Sequence, residues 1–383
     1  MIDPVSLAQA LIRCPSVTPE DAGALGVLET ALKPLGFSCH CLRFESADSP
    51  PIENLYARLG QARPNFCFAG HTDVVPVGDA AAWSQEPFAA QVHDGVLFGR
   101  GAVDMKSAIA AFIAAVSRFE QTAGSISLLI TGDEEGEAEH GTRRVVDALA
   151  AEGETLDHCV VGEPTSSAVL GDMIKIGRRG SLNAEVVVEG VQGHVAYPHR
   201  AANPIPVLVR FMAAVQAKVL DAGYQGFQPS NLEVTTVDVG NPTTNLIPAK
   251  ASGRLNIRFN PNHAGADLAA WLQAEALIAS EGFAGRITVT PKVSGEAFLT
   301  APGDFTALAS AAVAAVCGVT PELSTTGGTS DARFIRLLCP VVEFGLVGAT
   351  MHAVDERAPV NEIQALSAIY QRLLTDYFAA FGV

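Results

Sequence analysis

SISLLITGDEEG, residues 125–136, is an apolar run of strand length that stops at two adjacent carboxylates, Glu134 and Glu135. A short continuous apolar run bounded by turn residues suits a strand buried on both faces, as in a parallel sheet. Its surroundings agree. KSAIAAFIAAVSRFE (106–120) and TRRVVDALAAEG (142–153) are apolar at helical spacing, and PNFCFAGHTDVV (64–75) and HCVVGEPT (158–165) read as further strands running into polar ends. Upstream, residues 5–13 and 22–35 are helix-like with Gly36 as a stop, and FSCHCLRF (37–44) and NLYARLG (54–60) read as strands. Strands separated by helices predict an α/β domain with a layered central sheet.

The pattern changes near residue 180. LNAEVVVEG (182–190) alternates like a half-buried strand, PIPVLVRFMAAVQAKVL (204–220) is a helix with Pro in its first turn, and LEVTTVDVG (232–240) and ASGRLNIRFN (251–260) are strands. DLAAWLQAEALIAS (267–280) is a helix and RITVTPKV (286–293) a strand. That order, β-α-β-β-α-β, is the order of a ferredoxin-like two-layer sandwich. Helix and strand alternation resumes with DFTALASAAVAAVCG (304–318), VVEFGLV (341–347) and a closing helix from Glu362. The expectation is one α/β domain, residues 1–179 and 294–383, interrupted by an inserted domain, residues 180–293.

Composition narrows the function. With 383 residues, 48% hydrophobic and 17% charged, the chain has material for two cores and no sign of disorder. A formal net charge of −16 argues against nucleic acid or an anionic membrane as a partner, but not against a small anionic substrate met by local cations. The seven cysteines show no CxxC spacing, which fits a reduced, cytoplasmic protein. No signal-like N-terminus and no run of membrane-spanning length is expected. Neither a GxGxxG after a strand nor a P-loop is present, which disfavours nucleotide and hydride chemistry.

In an α/β sheet, ligands bind beyond the carboxyl ends of strands. At those ends stand His71 and Asp73, Glu134 and Glu135, Glu163, and His352, with Asp104 in the loop before the helix at 106. His40, His93, His158 and His263 read as ordinary surface or hydrogen-bonded histidines. A set of His, Asp and Glu without Cys suits hard-to-borderline divalent metals, zinc foremost. Five ligating groups are too many for one catalytic zinc and suit two metals that share a carboxylate. Two divalent cations would outweigh Asp104, Glu135 and Glu163 by one positive charge, which favours ionisation of a water between them. Glu135 is then a ligand and Glu134 the general base beside that water, although periodicity alone allows the pair to exchange roles. Asp73 is placed to hold the second nitrogen of His71.

Taken in order, GHTDVVPVGD (70–79), GRGAVDMKS (99–107), TGDEEG (131–136), VGEPTS (161–166), the inserted domain and a late MH (351–352) resemble the co-catalytic zinc metallohydrolases, the family of aminoacylase, acetylornithine deacetylase and carboxypeptidase G. The resemblance covers nearly the whole chain. It implies His71, Asp104 as the bridge, Glu135, Glu163 and His352 as ligands of two Zn2+ per subunit, with Co2+ or Mn2+ able to substitute. It implies Glu134 as base and a cis bond after Asp104. It also implies a homodimer in which His194, from the inserted domain of the partner, stabilises the oxyanion.

Four stretches, at 83–107, 176–205, 243–260 and 327–334, are most similar to the branch of that family that cleaves a succinyl amide. The implied reaction is hydrolysis of N-succinyl-L,L-2,6-diaminopimelate, with a sibling deacetylase or dipeptidase as the alternative. Arg178, Asn245, Arg258 and Thr329 stand where that branch binds substrate, and Arg suits a carboxylate through its fork of donors. One position departs. Many relatives have Asn four residues before the last ligand, where this chain has Gly348.

Overall fold

The computed structural model describes residues 1–47, 49–120 and 123–382. It divides into two compact units: Met1–Ile176 with Thr300–Ser324 and Ser330–Val383, and Gly177–Leu299 with Thr325–Thr329.

The first unit is built on an eight-stranded mixed sheet. Its spatial order is Ser38–Ser46, Ser49–Leu59, Ser125–Thr131, Asn65–His71, His158–Val161, Val341–Glu343, Met173–Lys175 and Glu322–Ser324. The first two strands form an antiparallel hairpin edge, whereas the strands from Ser125–Thr131 to Val341–Glu343 run parallel to one another. Asn65–His71 and Ser125–Thr131 are buried at every position, as suits their largely apolar runs, and their few polar residues, Asn65, His71, Ser125, Ser127 and Thr131, are buried with them. Phe66 and Phe68 pack on Phe112 of the helix Lys106–Val116 and on Tyr377 and Tyr370 of the closing helix Val360–Phe381; the Phe68 and Phe112 rings are stacked at 4.4 Å. Lys106–Val116 is buried all round, so it lacks a polar stripe. The expected helix at 22–35 is a shorter α-helix, Ala24–Leu32, that tightens into a 3₁₀ turn, Lys33–Leu35, and ends at Gly36 with φ +95°.

The second unit carries a four-stranded antiparallel sheet in the order Asn231–Asp238, Lys250–Phe259, Gly180–Glu189, Arg286–Gly295, with helices Ile205–Gln216 and Gly265–Ala279. This is the ferredoxin-like order. Leu182, Val186 and Val188 alternate inward against Phe211, Leu268 and Leu272 of the helices. Pro291 sits in Arg286–Gly295, which is an edge strand, where a missing N–H costs no ladder bond. The chain enters and leaves this unit side by side: Gly177–Arg178 pairs antiparallel with Phe298–Leu299.

Candidate active site

Four adjacent parallel strands aim their carboxyl ends at one place in the first unit. His71 is the last residue of Asn65–His71, Glu134 and Glu135 follow Ser125–Thr131, Glu163 follows His158–Val161, and His352 lies beyond Val341–Glu343. Asp104 comes from the turn before Lys106–Val116, and its peptide bond to Met105 is cis.

Room for this arrangement comes from two glycines. A Cβ at Gly70 or at Gly162, the residues before His71 and Glu163, would run into the Met105 side chain. Met105 therefore fills the space under both strand ends and seats the Asp104 turn against them.

Asp104 is the centre of the cluster. Its Oδ1 lies 3.0 Å from His71 Nε2, and its Oδ2 lies 3.3 Å from His352 Nε2. Glu163 Oε1 stands 3.9 Å from His71 Nε2, and Glu135 Oε1 stands 2.8 Å from His352 Nε2. One carboxylate thus faces a histidine with each oxygen, and each histidine has a second carboxylate beside it. His71, Asp104 and Glu135 can offer ligand atoms to one ion, as can His71, Glu134 and Glu163.

The hydrogen bonds define protonation. His71 Nδ1–H donates to the Asp73 main-chain carbonyl at 2.8 Å, so Nε2 is the nitrogen that faces Asp104. The Asp73 carboxylate is 3.6 Å from that ring and instead accepts the main-chain N–H groups of Glu134 (3.2 Å) and Glu135 (2.9 Å). Asp73 thus orients the histidine through its backbone and the glutamate pair through its side chain.

Burial opposes charge on His71, but the hydrogen bond and charge of Asp104, with Asp73 and Glu163, raise its pKa well above the usual histidine value. His352 is pushed up to about 10 by its hydrogen bonds to Asp104 and Glu135. Burial works to raise Asp104, yet the two histidines hold it below the carboxylate range. Glu134 is raised well above that range by burial and by the neighbouring Glu163 and Asp331. Carboxylates pressed against imidazole nitrogens need protons on the rings or cations between the groups. The donor set, two His and an excess of carboxylates without thiolate, fits hard-to-borderline divalent cations.

Asp331 is a residue beside the cluster that the sequence did not single out. It lies buried beside Thr142, 3.9 Å from Arg333, and its charge acts on Glu134. It was visible only as a letter within GGTSDARF, with no spacing to single it out.

The remaining expected residues belong to the second unit. Arg178 is buried and donates to the Thr326 carbonyl at 3.3 Å, beside the segment that carries Thr329. Arg258 is half-buried, with one guanidinium nitrogen buried and unpaired, and burial and Arg179 lower its pKa. Arg179 itself donates to Asn231 Oδ1 at 2.8 Å. His194 and Asn245 sit together: Gly193–His194 pairs with Leu246–Ile247, and the Val195 N–H donates to the Asn245 carbonyl at 3.1 Å. His194 is exposed, and its Nδ1 accepts the Ala196 N–H at 3.0 Å, so the proton sits on the outward Nε2. In the first unit, Gly348 packs tightly, since a Cβ there would lie 3.0 Å from the Pro164 carbonyl oxygen.

A succinyl-diaminopimelate desuccinylase of Caulobacter vibrioides is 67% identical over 381 residues, covering 100% of this chain and 97% of that protein. One from Phenylobacterium zucineum is 66% identical, covering 99% of each. An M20 family metallo-carboxypeptidase from Sulfolobus solfataricus superposes with a TM-score of 0.78 at 17% identity, over 98% of this chain and 99% of the other. A dinuclear metal binding peptidase from the M20 family of Bacillus subtilis superposes at 0.72 and 15% identity, over 98% and 97%. Residues 67–376 match the model of peptidase family M20/M25/M40, and with that match and the full-length relatives the chain belongs to this family.

Proposed function

We propose that the chain hydrolyses the amide of N-succinyl-L,L-2,6-diaminopimelate, releasing succinate and L,L-2,6-diaminopimelate, as a cytoplasmic homodimer. The carrying observation is Asp104, whose two oxygens each face a histidine that has a second carboxylate at its side. The full-length likeness to desuccinylases supports the substrate. Two divalent cations, zinc by donor type, would be held by His71, Asp104 and Glu163 and by Asp104, Glu135 and His352, and would supply Lewis-acid charge and make water more acidic.

The chain's own groups do the rest. Glu134 accepts the proton of the attacking water and delivers it to the leaving amine. Asp73 fixes the backbone on which Glu134 and Glu135 stand. His194 of a second copy presents its Nε2–H to the oxyanion, a contribution of about 3–4 kcal/mol for a donor of this kind. Arg178 and Arg258, with Asn245 and Thr329, meet the substrate carboxylates; the unpaired nitrogen of Arg258 supports an anionic ligand.

The test is turnover of N-succinyl-L,L-diaminopimelate by zinc-reconstituted protein, with N-acetylornithine alongside and a chelated control. Metal-dependent cleavage of the succinyl compound is expected. Cleavage of acetylornithine instead would overturn the substrate and keep the metal chemistry.

A further inference from the structure

Two buried groups outside the proposed ligand set touch the backbone on both sides of it. Arg100 and Glu356 form an ion pair at 2.7 Å, with side chains 2% and 0% exposed. A buried pair is weak evidence of stabilisation, because desolvation offsets the attraction. What this pair touches is more informative. One Glu356 oxygen accepts the Arg100 guanidinium, and the other accepts two successive main-chain N–H groups, Val103 at 2.8 Å and Asp104 at 3.1 Å. Arg100 in turn donates to the carbonyls of Ala353 (3.2 Å), His352 (3.4 Å) and Pro76 (3.2 Å), and lies 5.2 Å over the Trp83 ring.

The carboxylate thus grips the amide of the bridging aspartate, and the guanidinium grips the carbonyl of the last histidine. His352 has φ +61°, a backbone region that a non-glycine residue occupies only when its surroundings hold it there. The Gly99 N–H adds a third tie, donating to the Glu356 carbonyl at 2.9 Å.

We infer that Arg100 and Glu356 are a positioning pair that sets the Asp104–His352 spacing and thereby the affinity of the cation held on the His352 side. The inference rests on the two-cation reading above. Only a planar fork reaches a carboxylate and three carbonyls at once, so Arg100→Lys keeps the charge and loses the geometry. Glu356→Asp keeps the charge and is one methylene too short to bridge.

The experiment titrates metal-free wild type, R100K and E356D with Co2+, following visible absorption. Wild type takes up two equivalents. Both variants should fold and bind one equivalent as wild type does, bind the other about 10–100-fold more weakly, and show an altered spectrum for it. Excess Co2+ should restore most of the lost turnover. Arg58→Lys, in an ion pair with Glu154 away from the cluster, should change neither equivalent. Unchanged affinity and spectrum in a folded R100K would overturn the inference, as would loss of fold in both variants, which would make the pair structural. Failure of wild type to bind Co2+ would instead overturn the metal reading itself.

Discussion

At the scale of single residues, the adjacent glutamates show how much chemistry residue type reveals and where it stops. Glu134 and Glu135 announce a site because two carboxylates ending a buried strand need a reason to be there. Their roles stay interchangeable in the sequence, since neighbouring side chains differ only in direction. Their surroundings differ: Glu135 reaches His352 at 2.8 Å, and Glu134 stands near Glu163 and Asp331, which supports the proposed division into ligand and base. Glu134→Gln should therefore keep the cations, measured by metal content, and lower kcat by about 10²–10⁴; near-normal kcat would assign the base elsewhere. The histidines carry a pH prediction. In the metal-free protein His352 is raised to about 10, so its charged form stabilises the fold fully below the ordinary histidine pKa of about 6.5 and loses that contribution as pH climbs through 10. A cation must displace that proton. Affinity should rise with pH across this window, and binding at pH 8 should release protons, seen by calorimetry in buffers of different ionisation enthalpy. Absence of proton release would remove His352 from the ligand set.

Among elements, the parallel strands were the most legible, because burial on both faces leaves a largely apolar run and a sharp polar end. The three-residue strands Met173–Lys175 and Glu322–Ser324 are too short to leave a periodicity, and sheet order leaves no local mark. Nor does the sequence show why glycine precedes both His71 and Glu163; only packing shows that Met105 occupies the space a side chain would need. Gly70→Ala and Gly162→Ala should each cost about 1–3 kcal/mol by overpacking, measured by denaturant unfolding, and should weaken cation binding by displacing Asp104. A neutral effect on both would mean that Met105 yields freely. Arg100 and Glu356, each four residues from a ligand, were equally silent, since their partners are mostly backbone groups that any sequence provides.

In the whole molecule, the proposed ligands come from positions 71 to 352, so cations bound there would cross-link distant parts of the first unit. Anything that binds only the folded state stabilises it, by about 2.7 kcal/mol at a free concentration one hundred times Kd. Chelation should lower Tm, and zinc should restore it; an unchanged Tm would mean that the cluster binds no cation tightly. The alternation of helix and strand, the switch to β-α-β-β-α-β and the return to alternation were all readable, because each follows from local periodicity. The attachment of Thr325–Thr329 to the second unit was not, since five residues of turn composition carry no address. Within that unit, Thr325 donates to the Gly226 carbonyl, and Thr326 accepts from Arg178. Its consequence lies in time. On the ribosome, the ferredoxin-like sheet and both its helices are complete in sequence at Leu299, whereas the Thr326 carbonyl that accepts from Arg178 emerges only with the returning α/β chain.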